Sequence, residues 1–153
     1  MYRKYYQIFQ SQYAHLFAEE DYIVGTDGND DWQNGSSLVG EWTVNNVIIA
    51  GDGDDVADGG IYPGSEAPTA GYNVILGEGG NDDLHGAGNT DAIFGGPGND
   101  SINNGLGGRD LLFGGAGDDE IYGPGARAYG GSGRDTFTGE RMTAEGGGGR
   151  DTF

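Results

Sequence analysis

Aspartate is the residue whose spacing in this chain could do chemistry. Between Gly77 and Tyr122 the sequence reads GEGGNDDLH, GAGNTDAIF, GGPGNDSIN, one extra Asn104, GLGGRDLLF and GGAGDDEIY, five units of nine residues. The sixth places are Asp82, Asp91, Asp100, Asp110 and Asp119. A short fixed period marks a solenoid, in which equivalent residues stack coil upon coil. Coils of a parallel sheet lie ~4.8 Å apart, so a column of bare carboxylates would repel itself. A hard divalent cation between coils removes that repulsion. Calcium suits best, because it takes about six to eight oxygens in flexible geometry and turn carbonyls can complete its shell; magnesium demands a tighter octahedron. With no cysteine and only two histidines, a soft-metal centre is excluded.

The elements that must position these carboxylates follow from the rest of each unit. Glycine opens it, where the backbone must turn sharply through positive φ. Three residues close it, with Leu84, Ile93, Ile102, Leu112 or Ile121 in the middle. Three such residues make a very short strand whose middle side chain points inward. Each unit is thus a turn plus a strand, and two units close one coil of an all-β solenoid with two sheets. The sixth places sort onto two edges. Edge A carries Asp30, Asp55, Asp82, Asp100, Asp119, Asp135 and Asp151, a continuous ladder. Edge B carries Asn46, Asn73, Asp91 and Asp110, then two shortened turns near Ala128 and Met142. Edge B keeps one clear site, between Asp91 and Asp110, and Asn73 opens a further one, since an amide oxygen ligates without bringing charge. Insertions near 34–45 and 59–72 fall on edge B, and the second contains Pro63 and Pro68, which mark a surface loop.

GGPGNDSIN and GGAGDDEIY resemble the repeat-in-toxin (RTX) pattern, Gly-Gly-x-Gly-x-Asp-x-apolar-x, which binds calcium. The resemblance implies a right-handed parallel β-roll that folds when calcium binds, each ion lying between turns of successive coils on one edge. It also implies a ligand set: the sixth-place side chains, with backbone carbonyls of the turn glycines Gly28, Gly53, Gly80, Gly96, Gly98, Gly108, Gly115, Gly117, Gly131 and Gly133. RTX proteins usually leave the cell by a C-terminal signal, so the resemblance implies an extracellular or cell-surface location. The sequence stops at Phe153 where related proteins usually continue, which leaves truncation, processing and departure from the family open.

Residues 1–23 differ from the repeats of 24–153. Tyr2, Tyr6, Phe9, Tyr13 and Leu16 recur at helical spacing, so the pattern predicts an amphipathic helix, with extended chain as the alternative. Strand flanks predict its partner. After edge-A turns they are mostly polar, as in Asp83 and His85 or Thr136 and Thr138, whereas after edge-B turns Ile49, Leu76, Phe94, Phe113 and Tyr129 line one outer face. An apolar stripe of that extent is covered or used, and the helix, in cis or from a neighbouring copy, is the expected cover.

The chain has 25 acidic against seven basic residues and a net charge of −18, which excludes nucleic-acid binding through phosphate contacts. No stretch has the length of a membrane-spanning helix, and MYRKYYQIFQ lacks the apolar run of a secretory leader. His15 and His85 are isolated, no nucleophile–base set is present, and acid pairs such as Asp82–Asp83 fall in the calcium register, so no catalysis is expected. The expectation is a calcium-binding extracellular structural protein, assembling head to tail with its own copies; the alternative is the calcium-triggered folding and secretion module of a larger enzyme, toxin or adhesin.

Overall fold

The computed structural model describes residues 22–32, 46–59, 72–86, 90–105 and 108–153. Its strands are β1 (Tyr22–Val24), β2 (Asp31–Trp32), β3 (Asn46–Asp52), β4 (Val56–Asp58), β5 (Asn73–Gly79), β6 (Asp83–His85), β7 (Ala92–Pro97), β8 (Ser101–Asn103), β9 (Leu111–Ala116), β10 (Glu120–Tyr122), β11 (Arg127–Ser132), β12 (Thr136–Thr138) and β13 (Thr143–Gly148). Odd strands form a seven-stranded sheet in the order β1-β3-β5-β7-β9-β11-β13, and even strands form a six-stranded sheet. Every pairing is parallel, for example Ile93 with Leu112 and Leu84 with Ile102. The described chain is therefore an all-β parallel solenoid of two sheets, as the nine-residue period predicts. The predicted N-terminal helix and its residues Tyr2, Tyr6, Phe9, Tyr13 and Leu16 lie outside the described residues, as do the central parts of both insertions.

The core lies between the sheets and is built from the eighth place of each unit. Ile48, Ala57, Ile75, Leu84, Ile93, Ile102, Leu112, Ile121, Ala128 and Phe137 form one buried cluster. It is one side chain thick from each sheet, so little apolar area holds each coil, and the turns contribute much of what fixes the register.

One expectation is corrected. Three-residue strands occur in the six-stranded sheet, but β9 and β11 of the other sheet span six residues each. These strands run on through the glycines of the following turn, where Gly96 pairs with Gly115 and Gly131 with Gly147. Without side chains to splay them, those glycines keep the ladder in register right up to edge A.

The outer face of the seven-stranded sheet carries a second buried cluster of Val47, Val74, Leu76, Ala92 and Phe94, with Ile49 and Phe113 packed against it. Phe94, Phe113 and Tyr129 stack at 4.9 Å between successive ring centroids, with interplanar angles of 5° and 10°. The five repeat residues expected on this face are all there. Across the molecule the outer flanks of the other sheet are mostly polar, Val56 and Tyr122 excepted, and His85 faces Asp83 with Nε2 at 2.9 Å from Oδ1.

Candidate metal centre

Edge A joins each even strand's turn into one column. The backbone N–H of each sixth-place aspartate donates to Oδ1 of the aspartate one coil further on. The distances are 2.7 Å for Asp30 to Asp55, 2.9 Å for Asp55 to Asp82 and 3.0 Å for Asp82 to Asp100. They continue at 2.9 Å for Asp100 to Asp119, then 3.1 Å for both Asp119 to Asp135 and Asp135 to Asp151. All seven edge-A aspartates thus fall in one line, in the order their spacing predicts.

The second carboxylate oxygen has a different fate. Oδ2 of Asp55, Asp82, Asp100, Asp119 and Asp135 is buried with no hydrogen-bond partner. Burying a carboxylate oxygen without a partner is costly, and five in one column imply a ligand of opposite charge. The immediate surroundings agree. A Cβ added to Gly95 would collide with Asp100 Oδ2 and sit 2.6 Å from the Gly114 carbonyl oxygen. The same pair of oxygens, one carboxylate and one carbonyl of the next coil, brackets Gly77, Gly114 and Gly130. Hydrogen at these α-carbons is what leaves room between coils.

Electrostatics point the same way. Desolvation pushes the carboxyls of Asp82 and Asp100 up to about 6 and that of Asp119 up to about 7, against the pull of the backbone N–H each accepts. Neighbouring aspartates of the column add to the rise at Asp82 and Asp119. Burial raises Asp55 and Asp135 as well. A divalent cation would reverse this by favouring the ionised form.

Among the described residues no three acidic or imidazole groups converge on one point. Within the sixth-place column each coil supplies one carboxylate, so turn carbonyls are needed to complete a shell between coils, and an all-oxygen donor set fits calcium. The carbonyls of Gly53, Gly80, Gly98 and Gly117 form a column along the edge, each pointing at the fourth-place glycine of the next coil. Gly98 has φ 145°, and a Cβ there would strike the Gly80 carbonyl oxygen, so only glycine fits. The carbonyls of Gly115 and Gly131 point at Gly131 and Gly147 in the same manner. Gly28, Gly96 and Gly133 lie in the turns of this edge, and Gly108 in an exposed turn of edge B with φ 128°. The first-place carbonyls of Gly95, Gly114, Gly130 and Gly146, beside the orphan oxygens, were not among the expected ligands.

A second ladder was also missed. At the fifth place Asp54 N–H donates to Asn29 Oδ1 at 3.1 Å, Asn81 N–H to Asp54 at 2.8 Å, Asn99 N–H to Asn81 at 2.8 Å and Asp118 N–H to Asn99 at 2.7 Å. It runs with opposite polarity to the aspartate column and ends at Arg134, whose N–H and guanidinium meet Asp118 at 2.8 and 3.3 Å. The signal was in the sequence: fifth places on edge A are Asn or Asp until Arg134, whereas on edge B they include Tyr72, Thr90 and Arg109.

Edge B is shorter. Asn73 N–H donates to Asp91 Oδ1 at 3.0 Å, and Asp91 N–H to Asp110 Oδ1 at 2.8 Å. Asn73 also turns its amide nitrogen on Asp91 Oδ1, at 3.0 Å. Beyond Asp110 the sixth place is taken by buried Ala126 and then Met142, both packed with the central core.

The RTX calcium-binding nonapeptide repeat profile matches the chain in four copies, at residues 45–61, 69–93, 94–123 and 127–141, more than half its length. Comparison with curated proteins and with solved structures gave no match. Stacked coils, a buried aspartate column and four profile copies together place this chain in the family of RTX calcium-binding nonapeptide-repeat proteins, whose repeats bind calcium.

Proposed function

We propose that this chain is an extracellular structural protein whose edge-A aspartates bind a file of calcium ions, and that this binding drives the roll to fold. The observation that carries the reading is the column of five buried, unpartnered Oδ2 atoms. A core one residue thick from each sheet does not offset the chain entropy of ordering so many glycines. Binding free energy at a site that the unfolded chain lacks becomes folding free energy. The role of each residue follows from its place: the sixth-place carboxylates supply charge, turn carbonyls complete the shell, and first-place glycines keep the gap open. Circular dichroism of the chain in excess chelator should show disorder, and millimolar calcium should restore β-structure. A chain equally folded in both would refute the reading.

The column also supports assembly of copies end to end. Asp30 and Asp151 are the outermost described members of one edge, on the end coils bearing edge strands β1 and β13. Exposed parallel edges pair readily with another chain, and a head-to-tail contact that does not close propagates as a filament. Electron microscopy with calcium and with chelator tests this, and discrete monomers at high calcium would count against it.

A further inference from the structure

Asp110 breaks the pattern of the other buried aspartates whose second oxygen is orphaned. It is 1% exposed, and its Oδ1 accepts the Asp91 N–H as the register requires. Its Oδ2, however, has a partner: Asn104 Nδ2 at 2.5 Å. Asn104 is the single residue by which that unit exceeds nine, and it is completely buried. The same amide nitrogen faces the Pro124 carbonyl oxygen at 3.4 Å. Both neighbours of the nitrogen are oxygens, which fixes the amide orientation when no cation lies between them. The Asn104 Oδ1 is left buried with no partner.

Asp91, the other edge-B aspartate, receives the amide nitrogen of Asn73. On the far side of Asp110 stand Ala126 and Met142, which offer no side-chain oxygen to an ion. We propose that the inserted Asn104 takes the place of a calcium ion at Asp110, so that edge B closes on amides while edge A closes on metal. The inference rests on the calcium reading of edge A. It adds that the two edges of one roll are held by different chemistry, and that only edge A takes calcium.

The experiment counts ions on the full chain by native mass spectrometry and calorimetry, with calcium alone as the probe, for wild type, Asn104→Asp and Asn104→Ala. Asn104→Asp sets a second carboxylate against Asp110 Oδ2, and the expected result is one more bound ion than wild type. Asn104→Ala should bind the wild-type number, with a lower unfolding midpoint in urea at saturating calcium because Asp110 Oδ2 loses its donor. Loss of an ion in Asn104→Ala would make Asn104 a calcium ligand through Oδ1 and overturn the proposal, as would an unchanged count in a folded Asn104→Asp. If Asn104→Asp does not fold, the count for Asn104→Ala decides. Wild type binding no calcium at all refutes the edge-A reading separately, because this proposal is read from the difference between variant and wild type.

Discussion

Replacing Asp100 by asparagine should change stability in opposite directions with and without calcium. Asp100 sits mid-column, linked through Oδ1 to Asp82 and through its own N–H to Asp119, so two gaps share it. Asparagine keeps an oxygen for the Asp82 N–H but removes the charge. In the ion-free chain, burial lifts the Asp100 carboxyl from 3.8 to about 6. One pKa unit is about 1.4 kcal/mol, so at neutral pH the ionised carboxylate costs the ion-free coil at most ~3 kcal/mol, and ~1–2 kcal/mol once solvent screening at the turn is allowed for. The substitution removes that cost. In calcium the balance reverses: an ion at about a hundredfold excess over its dissociation constant contributes ~2.7 kcal/mol, and each of the two gaps loses a charged ligand. A net loss of about 3–5 kcal/mol at saturating calcium follows if both gaps weaken strongly. The calcium midpoint of folding, followed by circular dichroism, should rise by about one to two decades, since ligand charge tunes calcium affinity over that range. Residual structure in chelator should be at least that of wild type. An unchanged midpoint, or one that moves less than in Asp91→Asn, would refute the assignment of Asp100 to a two-gap ladder.

Acid should act on the two states in opposite directions. The carboxyls of Asp82, Asp100 and Asp119 titrate at about 6 to 7 in the ion-free fold and at 3.8 unfolded, so the fold holds more protons between those values. Ion-free stability is therefore greatest below pH 4 and is lost as pH rises through about 7, whereas calcium affinity should weaken as pH falls below about 6; circular dichroism against pH in chelator and in calcium checks both slopes. Ala50 is completely buried opposite Gly77, at the first place where later coils have glycine, so its methyl lies toward the gap served by Asp55. Ala50→Gly should bind calcium more tightly at that gap in a calorimetric titration, yet be about 0.5–1 kcal/mol less stable in conditions without calcium. Phe113→Ala removes the middle ring of the Phe94–Phe113–Tyr129 stack and should cost about 2–4 kcal/mol in urea unfolding without changing the number of ions bound.

What the sequence made legible was whatever repeats. Sixth-place aspartates and eighth-place aliphatics recur in fixed register, and a one-dimensional stack turns register directly into neighbours. Edge A was readable from Asp30 to Asp151 because the order of units is the order of coils. The less legible features depend on contacts between unlike places. Among the described residues the fifth-place ladder runs along edge A, so it emerges after the units are sorted by edge. The length of β9 and β11 reflects glycines that read as turn and pair as strand. Asn104 looked like a slip in the period, and its meaning needed the position of Asp110 Oδ2.

The unequal sizes of the coils have a mechanical consequence. Along the aspartate column successive coils measure 25, 27, 18, 19, 16 and 16 residues. Pulled from its two ends, a parallel stack peels like a zipper, one coil at a time. Each release frees a contour length set by its residue count, at ~3.4 Å per residue. The last coils would give extension steps of roughly 55 Å and the early ones roughly 90 Å. A force trace would therefore carry a direction: short steps first if rupture starts at β13, long steps first if it starts at β1. Added calcium would raise the force of each step and leave its length alone.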